Sequence, residues 1–117
     1  MNKKDYLKTI PESAILQNCL YYLKSKGYTV WRNNTGASKY QNKDGSYRTV
    51  KFGLRGQPDI IGYTDKGQFV FWECKRHGKK ATLDQECFIK SALECGAIGG
   101  CGTDEDCFKY FDKRKSS

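Results

Sequence analysis

Apolar positions near the start of the chain recur with a helical period. Ile15, Leu16, Cys19, Leu20 and Leu23 fall on one stripe, which predicts a helix from about Ile10 to Lys26. Thr9 stands as N-cap, Pro11 suits the first turn, Glu12 follows Thr9 by three residues as in a capping box, and Gly27 marks the end. Glu12 precedes Ile15 and Leu16 by three and four residues, so its carboxylate belongs at the edge of the buried face. The pattern then turns to residues that favour strands. Tyr28 to Asn34 forms the first, ended by Thr35-Gly36-Ala37-Ser38. A polar stretch with the turn signal Asn42-Lys43-Asp44-Gly45 leads to a second strand from Tyr47 to Phe52. Gly53-Leu54-Arg55-Gly56-Gln57-Pro58 is a glycine-rich bend.

The strongest strand signals are Asp59 to Tyr63 and Gln68 to Lys75. Asp65-Lys66-Gly67 between them suits a three-residue hairpin loop closed by a left-handed glycine, which pairs Thr64 with Gln68. Counting outward from that pair sets Asp59 opposite Glu73. A helix from Leu83 to Cys95 follows, with Thr82 as N-cap and Gln85 in the capping-box position, then a short strand from Ala97 to Gly102 and a last helix from Asp104 to Phe111 capped by Thr103. This order predicts an α/β or mixed α+β fold, with helices against a central sheet. At 117 residues the expectation is one domain with its core at about 9–112 and frayed polar ends at Met1 to Lys8 and Lys113 to Ser117.

Charge narrows the class of partner. The net charge of +8 points to an anionic ligand, with nucleic acid the leading candidate, because such a field attracts phosphate. The positive residues concentrate between Lys24 and Lys80. The N-terminus has no apolar run behind it, so neither a signal peptide nor a membrane span is expected, and the location is read as cytoplasmic. In that reducing setting the six cysteines are expected as core thiols rather than a disulfide framework. Without a C-x-x-C pair, and with His77 the one histidine, structural zinc is disfavoured.

Residues two apart on a strand share a face, so Glu73 and Lys75 emerge together while Cys74 points away. With the expected register Asp59 joins them, because opposed residues hold their Cβ atoms about 5 Å apart. Two carboxylates that close need a proton or a cation, and hard oxygen ligands suit Mg²⁺, with Mn²⁺ as substitute. Such a centre fits phosphodiester hydrolysis, with Lys75 at the attacking water. Glu12 is placed to hold a second cation or a metal-bound water, and Gln85 to orient Lys75 or touch the phosphate. Arg32 and Asn34 on the first strand, Arg55 in the bend, and Arg76, Lys79 and Lys80 in a mobile basic loop with His77 are candidate nucleic-acid contacts.

Pro58-Asp59 and, fourteen residues on, Glu73-Cys74-Lys75 resemble the signature of the PD-(D/E)XK nuclease superfamily. Together with Glu12, Trp31-Arg32-Asn33-Asn34-Thr35-Gly36, Gly56-Gln57-Pro58-Asp59-Ile60-Ile61-Gly62, Gln85 and Gly96, the chain looks like the VRR-NUC (virus-type replication-repair nuclease) family from about Glu12 to Gly102. The resemblance implies a restriction-endonuclease-like core, a metal held by Asp59, Glu73 and the backbone carbonyl of Cys74, and a catalytic Lys75. It also brings Glu12 and Gln85 into the active site. Stand-alone members imply a homodimer that cuts branched DNA such as four-way (Holliday) junctions, with no small-molecule cofactor beyond the metal. Where the family usually has an aliphatic residue between glutamate and lysine, Cys74 stands here.

The competing readings are a nuclease for flaps, nicks or single-stranded ends, a basic nucleic-acid-binding module that no longer cuts, and a cysteine-rich metal or redox protein. For Glu12 and Gln85 the plain alternative is a capping-box role alone.

Overall fold

The computed structural model describes residues 1–33, 37–51 and 54–114. Its element order is α1 (Lys3–Lys8), α2 (Glu12–Ser25), β1 (Thr29–Arg32), β2 (Ala37–Gln41), β3 (Tyr47–Lys51), β4 (Ile60–Tyr63), β5 (Phe69–Cys74), α3 (Leu83–Glu94), β6 (Ile98–Gly102) and α4 (Asp104–Asp112). Four strands make the main sheet in the order β1-β4-β5-β6. The first two pairings are antiparallel and β5 with β6 is parallel, so the sheet is mixed and α3 is the crossover. β2 and β3 form a separate antiparallel pair.

One face of the sheet carries the core. Val30, Ile60, Val70, Trp72, Cys74 and Ile98 alternate onto it and pack with Ile15, Leu16, Cys19 and Leu23 of α2 and Cys107 and Phe111 of α4. Phe111 sits at the junction, with its ring edge-on to both Tyr28 and Trp72. The other face is covered by α3, where Phe88 meets Phe71 edge-on at 5.9 Å between ring centroids. That cover is partial, for no side chain of α3 is fully buried. Central β5 is apolar on both faces, as its sequence predicts, with Phe71 and Trp72 both buried.

The β4–β5 turn has the expected form: Thr64 N–H donates to the Gln68 carbonyl at 2.9 Å, Gly67 N–H donates to the Thr64 carbonyl at 3.0 Å, and Gly67 adopts φ +79°. The strand pairs run from Tyr63 opposite Phe69 to Ile60 opposite Trp72.

Four expectations are corrected. The Lys3–Lys8 segment is not frayed but helical, because Asn2 caps it: the Asn2 side chain accepts from Asp5 N–H at 2.8 Å. Thr9 closes that helix by donating its hydroxyl to the Tyr6 carbonyl at 2.6 Å, so it does not cap α2. α2 starts at Glu12 after Pro11 without a side-chain cap, and the Thr9-Glu12 capping box is absent. Ala37 and Ser38, expected to end a strand, begin β2 instead. The thiols are all unpaired, but only Cys19, Cys74 and Cys107 are buried; Cys87 and Cys95 are exposed on and just after α3, and Cys101 is half-buried.

Candidate active site

The site lies at one end of the main sheet, where β4 begins and β5 ends. Continuing the register by one residue beyond Ile60 and Trp72 sets Asp59 against Glu73. The Asp59 carboxylate accepts from the backbone N–H of Cys74 at 3.0 Å, which fixes it across the strand gap. Glu73 is 3% exposed, and its Oε2 has no hydrogen-bond partner among the described residues. A buried, unpaired carboxylate oxygen is costly to leave charged. Burial first, then Asp59 beside it, pushes the Glu73 carboxyl up to about 9, while the Lys75 ammonium acts in the opposite direction.

Glu12 completes the group. Among the described residues, Glu12, Asp59 and Glu73 each present a carboxylate oxygen, and these oxygens lie within 4.8 Å of one another. Glu12 reaches the site from the first turn of α2, and its carboxylate is free of the cap role that competed for it. Three hard oxygen donors, one of them from a buried carboxylate, fit a divalent cation such as Mg²⁺ or Mn²⁺.

Clefts open on both sides of Asp59. One, of about 470 Å³, is lined by Arg55, Gln57, Asp59, Glu73, Thr82 and Gln85, together with Leu54, Gly56 and Asp84. The other, of about 310 Å³, is lined by Glu12, Ser13, Leu16, Gln17, Arg32 and Asp59. The first turns of α2 and α3 thus line the clefts on the two sides of Asp59. Gly56 makes the close approach possible: its φ is +76°, and a Cβ there would lie 2.2 Å from the Asp84 carbonyl oxygen.

Gln85 forms the capping box: its Oε1 accepts from Thr82 N–H at 2.9 Å, and the Thr82 hydroxyl accepts from Gln85 N–H at 3.2 Å. This uses the oxygen of the amide, and the residue still lines the cleft with Asp59 and Glu73. Lys75 follows β5 half-buried, anchored by its N–H on the Gly102 carbonyl at 2.8 Å. Arg76, His77 and Lys79 lie in a loop after β5 that contains a turn, in which Lys79 N–H donates to the Arg76 carbonyl at 3.0 Å. The Arg76 guanidinium donates to the Lys8 carbonyl at 2.8 Å, which ties the turn to α1. Lys80 is exposed beyond it, and Asn34 lies outside the described residues.

Asn33 carries no role of its own in the sequence motif Trp31-Arg32-Asn33-Asn34-Thr35-Gly36. Its backbone N–H donates to the Asp59 carbonyl at 2.7 Å, and its side-chain amide donates to Gln57 Oε1 at 2.7 Å and to the Pro58 carbonyl at 3.2 Å. Asn33 and Gln57 therefore hold the Pro58-Asp59 segment in place. No local signal marks such a clamp, because its partners lie 24 to 26 residues away.

Comparison with protein-family models, with curated proteins and with solved structures found no match to this chain. What stands is a mixed α/β protein with a mixed central sheet, flanking helices and a three-carboxylate group at the sheet end. No helix among the described residues is long and apolar enough to cross a membrane.

Proposed function

We propose that the chain is a metal-dependent phosphodiesterase whose centre is Asp59, Glu73 and Glu12. More narrowly, it is a Mg²⁺-dependent DNA endonuclease of the PD-(D/E)XK kind, similar to the VRR-NUC family, acting on branched DNA such as four-way junctions. The observation that carries this reading is the carboxylate of Glu73, buried and with an Oε2 that has no partner among the described residues, in a group that takes one further carboxylate oxygen each from Asp59 and Glu12. That oxygen calls for a cation, and the net charge of +8 supplies attraction for a polyanion.

In this reading Asp59, Glu73 and the Cys74 carbonyl bind the ion, with Glu12 on the α2 side as ligand or through water. When bound, the cation polarises the phosphoryl oxygen and lowers the pKa of water. Lys75 holds the attacking water and offsets negative charge that develops on the phosphate. Gln85 turns its amide towards the phosphate while its oxygen closes α3. Arg32 and Arg55 line the two clefts and hold flanking phosphates, and Arg76, Lys79 and Lys80 extend that basic surface. The exposed Trp31 and Tyr63, edge-on to each other on the sheet face that α3 leaves open, support a homodimer through that face.

The test is cleavage of a four-way junction, a flap and a linear duplex with and without Mg²⁺. Wild type is expected to cut the junction in Mg²⁺ alone, and Asp59→Asn and Lys75→Ala to lose at least about 100-fold in rate. Cutting by either variant at the wild-type rate defeats the site assignment, and preference for the flap moves the substrate to the rival class.

A further inference from the structure

Among the described residues, the β2–β3 hairpin adds no side chain to the core. Its strands pair with each other and with neither edge of the main sheet. From Lys39 to Thr49 every side chain is exposed except half-buried Asn42. An isolated two-stranded hairpin is marginal in water, so a chain that keeps one has a use for its surface.

Local bonds make it a preformed ribbon. Asn42 N–H donates to the Ser46 carbonyl at 2.7 Å and Gly45 N–H to the Asn42 carbonyl at 3.0 Å. Asp44 accepts from both the backbone and the hydroxyl of Ser46, at 2.9 and 2.6 Å. The hairpin's single acid is thereby committed to its own turn.

What remains exposed fits a polyanion. Lys39, Lys43 and Arg48 are exposed cations, and Tyr40 and Tyr47 are 45% and 68% exposed. Tyr40 and Arg48 are directly opposed on one face, with the guanidinium over the ring at 5.9 Å, while Lys39 and Tyr47 share the other. Such cations engage phosphates, and the flat rings pack on sugars or unpaired bases.

The hairpin is also rooted at the candidate site. It is inserted between Asn33, which is hydrogen-bonded to Gln57, Pro58 and Asp59, and the bend that carries Arg55 into the cleft. We propose that β2 and β3 form an arm that grips the DNA backbone beside the bond to be cut and sets affinity without taking part in the chemistry. This rests on the nuclease reading above, and it assigns a DNA contact to Lys39, Lys43, Arg48, Tyr40 and Tyr47.

The test uses the full chain with Ca²⁺ replacing Mg²⁺, and fluorescence anisotropy of a labelled junction over a salt series. A variant with Lys39→Ala, Lys43→Ala and Arg48→Ala is expected to bind at least 10-fold more weakly. The slope of log affinity against log salt should fall by about 2 to 3, since each lost phosphate contact removes about 0.9. In Mg²⁺ and saturating DNA its single-turnover rate stays within two-fold of wild type. On the wild-type protein, bound DNA protects Lys39 and Lys43 from acetylation read by mass spectrometry, which tests the contact even if the triple variant does not fold. Unchanged affinity and slope, or unprotected lysines, overturn the arm, as does a variant whose sole defect is loss of self-association. If wild type binds and is weakened by the variant yet never cuts, the nuclease reading fails and the arm stands. If wild type cuts and the variant binds equally well, the arm fails and the nuclease reading stands.

Discussion

Glu73 concentrates the energetics of the site in one side chain. Its carboxyl is raised from 4.5 to about 9, chiefly by burial, so the metal-free native state keeps a proton that the unfolded chain has lost. That stabilisation is complete below about pH 4.5 and is lost as pH rises towards about 9. The metal-free melting temperature is therefore expected to fall across that window, and saturating Mg²⁺ to restore most at the alkaline end. Glu73→Gln should flatten the pH dependence and abolish the Mg²⁺ shift; a metal-free melting temperature that rises with pH, and a Mg²⁺ shift that persists in the variant, would count against a cation at Glu73. Asn33 acts through position. Asn33→Ala removes the amide clamp on Gln57 and Pro58 while leaving the three carboxylates, so the single-turnover rate should drop about 10- to 100-fold with Mg²⁺ affinity reduced much less. Equal losses in both would make Asn33 part of the ion's own binding rather than its support.

At the scale of elements, α3 shows how one residue serves two purposes. Thr82 and Gln85 cap the helix reciprocally, and the same Gln85 lines the cleft. Thr82→Ala should cost about 1 kcal/mol in chemical denaturation, the usual worth of an N-cap. Gln85→Glu retains an oxygen for the cap, since glutamate also serves at this position, but replaces the amide with a negative group facing the phosphate. Its stability should stay within about 0.5 kcal/mol of wild type while cleavage falls at least about 10-fold. If activity survives that change, the residue is a cap and nothing more. The helix-start signals at Thr82 and Thr103 were legible because each cap is a local bargain among four consecutive residues. The same signal misled at Thr9, where a second helix upstream claimed the threonine hydroxyl. β2 left little apolar alternation to read, and its described side chains, Lys39 to Gln41, are exposed: it forms as the mate that the Asn42-to-Ser46 turn folds back onto β3.

For the whole molecule the decisive contacts join α2 and α4 to one sheet face. Phe111 lies among Tyr28, Trp72 and Tyr110, fully buried, so Phe111→Ala should cost about 3 to 5 kcal/mol by urea titration. A loss below about 1 kcal/mol would mean that the core is divided differently. The chain by itself determined the periodicities of the helices and main strands and the register of the β4–β5 hairpin. A three-residue turn with glycine at its left-handed position leaves one way to pair the strands, and so Asp59 could be set against Glu73 by counting outward from Thr64 and Gln68. Glu12 could be marked from its place at the edge of the apolar stripe, but tertiary structure decided that α2, from the opposite layer, brings it into the same carboxylate group, that Asn33 just after β1 clamps Asp59, and that one oxygen of Glu73 is buried without a partner among the described residues. These depend on how layers pack across long sequence separations, where the energy lies in excluded water and shape, and no spacing along the chain encodes that.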